Sequence, residues 1–286
     1  MKLDLDHCGV AVRDLDRARD SFVRLGFTLA SRSFHAGARV PGGPVEPWGS
    51  ANHCAMFCHG YLEIIGLTDA SLYSSVKDLV ERYEGAHIVA FGCNEDADAA
   101  HRELLQRGVA AQAPRSLQRQ AAYGPNDEQT RQARFRNIYL DPSEHQEARF
   151  LFIEHLTREV LWQAHLIEHP NGVIGLEECW FASADAPATA DKLARLTGAT
   201  VERGADAYRL PLARGALVVM EQARWLALGP GTMQPPGSPV GLVFRVTSLA
   251  DTAAFFEQKG VRFGRSAHAL AISAPDACGT ALSFRE

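Results

Sequence analysis

Apolar and polar positions along this chain repeat one pattern four times. An apolar run with strand character leads into a capping residue, a helically spaced run and a glycine. In the first copy "HCGVAV" precedes Asp14, then Leu15, Ala18, Phe22 and Leu25, and Gly26 closes the run. In the second "HIVAFG" precedes Asp96, Ala97, Ala100 and Leu104, with Gly108 at the end. The third has "ECWFAS", Asp185, Pro187, Leu193, Leu196 and Gly198, and the fourth "GLVFRV", Ser248, Leu249, Thr252, Phe256 and Gly260. Asp and Ser caps satisfy the first free N–H groups of a helix, and glycine accepts the left-handed turn that ends one. The spacing between them predicts amphipathic helices. Further strand-like runs follow each helix: "FTLASRSF", "HCAMFC" and "YLEIIGL" in the first copy, "ARFRNIYL" and "RFLFIEHL" in the second, and "VRFG", "HALAIS" and "TALSFR" in the fourth.

The unit is thus strand, helix and three strands, an α+β arrangement. One helix covers only one face of a four-stranded sheet, so each unit needs a partner, and pairs of units form cupped mixed sheets. Four units predict two domains, at 1–158 and 172–286, joined through "TREVLWQAHLIEHPNG". Each is long enough to bury its own core. The Gly- and Pro-rich stretch 35–52 reads as a lid, a binding loop or a disordered segment, with Trp48 either closing over a ligand or anchoring the loop. Residues 115–134 read first as a solvated polar loop, with contact of its arginines to an anionic substrate as the alternative.

Composition narrows the function. The 286 residues carry a net charge of −5 with no basic stripe, which argues against nucleic acid as a partner. The start "MKLDLDHCGV" lacks a signal-peptide pattern, and no apolar run is long enough to span a bilayer. A cytoplasmic location is expected, with the six cysteines as free thiols.

Titratable rings at His7 and His87 interrupt two otherwise apolar strands. Alternation puts Cys8, Val10 and Val12 on one face and His7, Gly9 and Ala11 on the other. Glu63 stands among Leu62, Ile64 and Ile65, and Glu154 beside Phe152 and Ile153. A carboxylate in such a strand costs desolvation energy unless a cation or donor meets it. Repeated units with "DH" on the first strand resemble the vicinal oxygen chelate superfamily of glyoxalase I, extradiol dioxygenases and bleomycin-resistance proteins. "LDHCGVAVRDLDRA", "GYLEIIG" and "LIEHPNGVIGL" resemble its bacterial glyoxalase-like domain proteins.

That resemblance implies a metal site on the first and last strands of units one and two, made by His7, Glu63, His87 and Glu154. Two imidazoles and two carboxylates suit a divalent zinc, nickel, manganese or iron(II) ion. Because "DPSEHQEARFLFIE" is a long approach, His155 or Glu147 could take the place of Glu154. His35, His53 and His59 are further candidates for substrate contacts.

The expected activity is that of an isomerase or lyase on a small oxygen-chelating substrate, through a metal-stabilised enediolate with Glu63 or Glu154 as base. A ring-cleaving dioxygenase using His7, His87 and Glu154 is the alternative enzyme, and a non-catalytic binder of the bleomycin-resistance type is the alternative outside catalysis. In the second half the four positions become Glu178, a residue near Val218, Gly241 and Ser283. That domain is expected to be degenerate, without metal or a cluster of ionisable groups. Its expected role is structural or as an interface, for instance in a homodimer.

Overall fold

The computed structural model describes residues 2–37, 43–93, 96–229, 231 and 234–286. The first half contains β1 (Leu3–Val12), α1 (Leu15–Arg24), β2 (Ser33–Gly37), β3 (Glu46–Met56), β4 (Tyr61–Leu67) and α2 (Val76–Arg82). It continues with β5 (Gly85–Cys93), α3 (Ala97–Gln106), β6 (Arg115–Tyr123), β7 (Gln129–Tyr139) and β8 (Arg149–His155). After α4 (Arg158–Leu161) the second half begins with β9 (Val173–Ser183), α5 (Ala186–Thr197), β10 (Glu202–Arg203), β11 (Tyr208–Pro211), β12 (Ala216–Glu221) and α6 (Gln222–Ala227). It ends with β13 (Pro239–Val246), α7 (Leu249–Gln258), β14 (Gly264–Arg265), β15 (Leu270–Ile272) and β16 (Ala281–Arg285).

The strands form two eight-stranded sheets, ordered β2-β3-β4-β1-β5-β8-β7-β6 and β10-β11-β12-β9-β13-β16-β15-β14. Each sheet is two predicted units joined edge to edge. The four helix starts are set by the predicted caps: Asp14, Asp96, Asp185 and Ser248 each accept from a backbone N–H three residues on. Gly26, Gly108, Gly198 and Gly260 close the same helices at positive φ.

The two stretches expected as loops belong largely to hairpins. Within 35–52, residues up to Gly37 end β2 and those from Glu46 begin β3, while 38–42 fall outside the described residues. Residues 115–134 form β6 and much of β7, paired from Arg115↔Asn137 to Tyr123↔Gln129. Their polar side chains suit sheet strands open to solvent on one face.

Joining the units are antiparallel seams, β1 on β5 and β9 on β13. In the first seam three pairs, His7↔Ala90, Cys8↔Val89 and Gly9↔Ile88, lie between two bulges. The extra residue is Asp6 on β1 and His87 on β5. The second seam repeats this, with Glu178↔Val243, Cys179↔Leu242 and Trp180↔Gly241 between extra residues Glu177 and Val240. Each seam is therefore symmetric about its middle pair. His7 corresponds to Ile88 and Asp6 to His87.

The helix-bearing faces of both sheets pack into one continuous core. Val10, Phe22, Phe91 and Phe152 from the first half join Phe181, Phe244, Phe256 and Phe284 from the second. Phe27 meets Phe244 edge-on at 5.4 Å. The expectation of two separately buried cores is corrected here, because the covered faces turn toward each other and the cups open outward. The helix α2 was not expected from the sequence pattern. Its Val76, Leu79 and Val80 pack against Ala11, Ile65, Ile88, Ala90, Leu151 and Ile153, filling one end of the first cup.

Close packing across the first seam is testable. A Cβ on Gly9 would sit 2.8 Å from Ile88 Cβ. Gly9→Ala should destabilise the chain by about 1–3 kcal/mol through overpacking, read as a lower urea midpoint. An unchanged midpoint in Gly9→Ala would contradict the packing.

Candidate functional site

The register decides which side chains enter the first cup. Gly9 of β1 pairs with Glu63 of β4. The symmetry-related pair is Ala90 of β5 with Leu151 of β8. The four equivalent positions are therefore His7, Glu63, Ile88 and Leu151, and only two of them carry metal-ligating groups.

His7 is buried, with Nδ1 2.7 Å from Asp6 Oδ1 and its ring stacked on Tyr61 at 4.2 Å. Glu63 is half-buried and accepts from Asn52 Nδ2 at 2.5 Å. The other two predicted ligands lie elsewhere. His87, the bulged residue of β5, is fully buried, stacked on Tyr83 at 3.8 Å and held by the Tyr83 carbonyl at 2.9 Å through Nε2. Burial pushes its pKa down to about 4. Glu154 accepts from the N–H of Ala97 at the start of α3 at 2.9 Å and lies 3.7 Å from Arg136. Its neighbours in phase, Phe150 and Phe152, belong to the shared core, whereas Leu151 and Ile153 face the cup. The expectation that Glu154 and His87 join His7 and Glu63 is corrected. Glu154 caps a helix on the opposite face, and the His87 ring is held by Tyr83 of the α2–β5 connection.

Sequence reasoning named His7 and, as a substitute for Glu154, His155, but missed the Asp6 that joins them. Asp6 lies between two histidines, His7 and His155, with His155 Nε2 at 3.1 Å from Oδ2. Burial alone would raise the Asp6 carboxyl. The charges and hydrogen bonds of His155 and then His7 outweigh it and hold the group well below the usual carboxylate range. His155 packs edge-on against Trp162 at 5.0 Å, and its Nδ1 is buried without a partner among the described residues. The signal for Asp6 was present in the sequence. Leu3 and Leu5 enter the core in one phase and Cys8, Val10 and Val12 in the other, which marks an extra residue between them.

Beside this centre is a cavity of about 60 Å³, whose lining includes Ser33, Asn52, Cys54, Arg119, Ala121 and Leu161. Arg119 donates to Ser33 Oγ at 2.9 Å and makes no ion pair among the described residues. Cys54 pairs across the strands with Glu63, and burial followed by that nearby charge pushes its thiol up to about 12. It is therefore not a thiolate at neutral pH. Buried Asn52 Oδ1 and Asn137 Oδ1 also have no partner among the described residues. Of the further histidines, His35 binds Ser50 Oγ at 3.0 Å, and burial lowers its pKa despite the Glu63 charge. His53 is held by the Ala30 carbonyl at 2.9 Å, and His59 lies 3.3 Å from Arg214.

These residues do not fit a four-ligand metal ion. His7 and Glu63 supply two ligand-type side chains, but Ile88 and Leu151 bring hydrocarbon to the remaining two positions. Among the described residues no three His, Cys, Asp or Glu side chains gather into a metal-holding group.

In the second sheet the same register selects Glu178, Val218, Gly241 and Ser283. The expectation that no ionisable cluster lines that cup is corrected. Glu178 lies 3.4 Å from Arg209 and 3.2 Å from Arg285, and accepts from Trp180 Nε1 at 2.9 Å.

The buried state of His87 predicts a pH dependence. Its unfolded imidazole takes a proton near pH 6.5, whereas the folded one stays neutral down to about pH 4. The unfolded state binds more protons in that window, so stability falls as pH drops through it. From pH 7 to pH 5 this group should remove about 2 kcal/mol. Urea unfolding at both pH values should show a smaller loss in His87→Gln than in the parent chain. Equal losses would contradict the lowered pKa.

Comparison with known proteins agrees with the geometry of the sheets. The model of the glyoxalase-like domain family matches residues 5–197. No curated protein matches the sequence. A hypothetical protein from Staphylococcus aureus is similar in structure with a TM-score of 0.62 at 13% identity, covering 100% of this chain and 99% of its own. A mutant of 4-hydroxymandelate synthase from Streptomyces coelicolor gives 0.58 at 14% identity, covering 100% and 93%. At such identities the likeness is one of fold. Together with four strand–helix–three-strand units in two cupped sheets, the family match makes this chain a member of the glyoxalase-like domain family within the vicinal oxygen chelate superfamily.

Proposed function

We propose that the first cup is an acid–base site for a small anionic substrate bearing a carbonyl, and that the chain is a glyoxalase-like isomerase or lyase. The observation that carries this reading is the cavity beside Asn52 and Arg119, where an arginine without an ion pair among the described residues adjoins the hydrogen-bond partner of Glu63. Arg119 would anchor the substrate's carboxylate. Glu63, on the cup wall with an amide as its hydrogen-bond partner, would take the proton from the carbon next to the carbonyl. Negative charge developing on the carbonyl oxygen would then be met by Arg119. Asp6 fixes the orientation of His7 and His155, and the two rings are the groups suited to return a proton to the adjacent carbon.

The placement of His87 and Glu154 weighs against the metal-dependent form of the reaction, and no step is assigned to an ion. It weighs equally against ring cleavage by His7, His87 and Glu154. A binder without chemistry is the second reading. It is favoured by Ile88 and Leu151, which bring hydrocarbon instead of reactive groups to two of the four equivalent cup positions.

The experiment is proton exchange in D2O with pyruvate, 2-oxobutyrate and lactate as probes, followed by NMR. Protein-dependent loss of the signal from the C3 protons of the two 2-oxo acids, or from the C2 proton of lactate, is expected. Glu63→Gln should slow it by about 100-fold or more, and Arg119→Ala should raise the substrate concentration needed. Exchange that persists in Glu63→Gln would remove Glu63 as the base. Binding of these probes without any exchange would favour the non-catalytic reading. Metal content of protein purified without nickel tests the other point. Stoichiometric ion that is lost in both His7→Ala and Glu154→Gln would restore the four-ligand site.

A further inference from the structure

The second cup differs from the first by an exchange of bulk across its seam. Gly9 faces Ile88 in the first sheet, and Trp180 faces Gly241 in the second. A Cβ on Gly241 would come within 3.3 Å of both Trp180 and Trp225. Glycine there leaves room for two indoles, whose centroids are 6.1 Å apart with planes at 80°. Trp225 is carried by α6, directly after β12.

Beside the indoles lies a cavity of about 810 Å³, lined by Trp180, Trp225, Phe263, Ile272, Ala271 and Ser283 among others. That volume lies in the range of small-molecule sites, roughly 300–1,000 Å³. Ser283 is 7% exposed and occupies the position that Leu151 fills in the first cup. Among the described residues its hydroxyl has no hydrogen-bond partner. Trp225 Nε1 is also buried without one. The charged groups nearby are satisfied, since Glu178 is paired with Arg209 and Arg285, and Arg262 with Asp276 at 2.8 Å. What the cavity lacks is a neutral hydrogen bond and a flat apolar surface against its rings.

We propose that the second domain binds a planar, uncharged aromatic molecule through Trp180 and Trp225, with one hydrogen-bond acceptor directed at Ser283. This site needs no metal and is independent of the first cup. It gives the second half a binding role in place of the structural one expected from its missing ligands.

The test is tryptophan fluorescence quenching of the full chain by two probes, coumarin, which carries a carbonyl, and naphthalene, which does not. Saturable quenching by both is expected. Ser283→Ala should weaken coumarin by about tenfold and leave naphthalene unchanged. Ala271→Leu, at an exposed lining position, should abolish both while leaving the thermal melt intact. Arg119→Ala should change neither, which separates this site from the first cup. No saturable quenching by either probe, or equal weakening of both by Ser283→Ala, would overturn the proposal. So would sedimentation showing that Ala271→Leu splits a dimer, since the cavity would then be a self-association face.

Discussion

The antiparallel pairing of β1 with β5 is the constraint on which the first cup depends. Side chains alternate with a period of two, so one extra residue on a strand moves everything beyond it to the other face. The bulge at Asp6 lets Leu5 and Cys8 both enter the shared core while Asp6 and His7 stand together on the cup side. On β5 the matching bulge is His87, and the ring that occupies it is held by Tyr83. The same pairing, carried through Ala90 to Leu151, determines that β8 offers Leu151, Ile153 and His155 to the cup and turns Glu154 away.

Desolvation explains why the polar groups that remain are grouped as they are. Asp6 is nearly inaccessible, and an isolated buried carboxylate would cost several kcal/mol. Two imidazoles at 2.7 and 3.1 Å compensate for that loss and keep the carboxylate ionised. His87 has no such partner charge. It resolves the same problem by staying neutral, with burial lowering its pKa. Two histidines that look alike in sequence are thus in opposite electrostatic situations: His7 has a carboxylate beside it, and His87 has a carbonyl and a ring.

Much of the fold was legible because its signals are local. A capping side chain, a spacing of three and four, and a terminal glycine each act within a few residues, and Asp14, Asp96, Asp185 and Ser248 all serve as the predicted caps. The site was legible only in part because its geometry depends on pairing between strands far apart in sequence. Counting along one strand puts His7 on the cup face, where its ring meets Asp6 and Tyr61. Glu63 also reached the cup wall. It failed at His87 and Glu154, where a bulge and an offset between strands intervene. The change of phase between Leu5 and Cys8 was readable, yet its consequence for Asp6 and His155 needed the fold.

The two cups show how one scaffold diverges without disturbing what holds it together. Both seams keep their bulges, their middle cysteines and their small-against-large contact, since the helix faces behind them share one core. In the first sheet the large residue is Ile88, and with Leu151 it supports α2 and closes one end of the cup. In the second it is Trp180 on the opposite strand, and Ser283 replaces the leucine. Moving bulk from β5's counterpart to β1's counterpart keeps the seam packed and changes the shape above it. A small cavity beside Arg119 and a large one beside two indoles are both compatible with the same back-to-back core, so the outward faces could specialise separately while the shared interior stayed fixed.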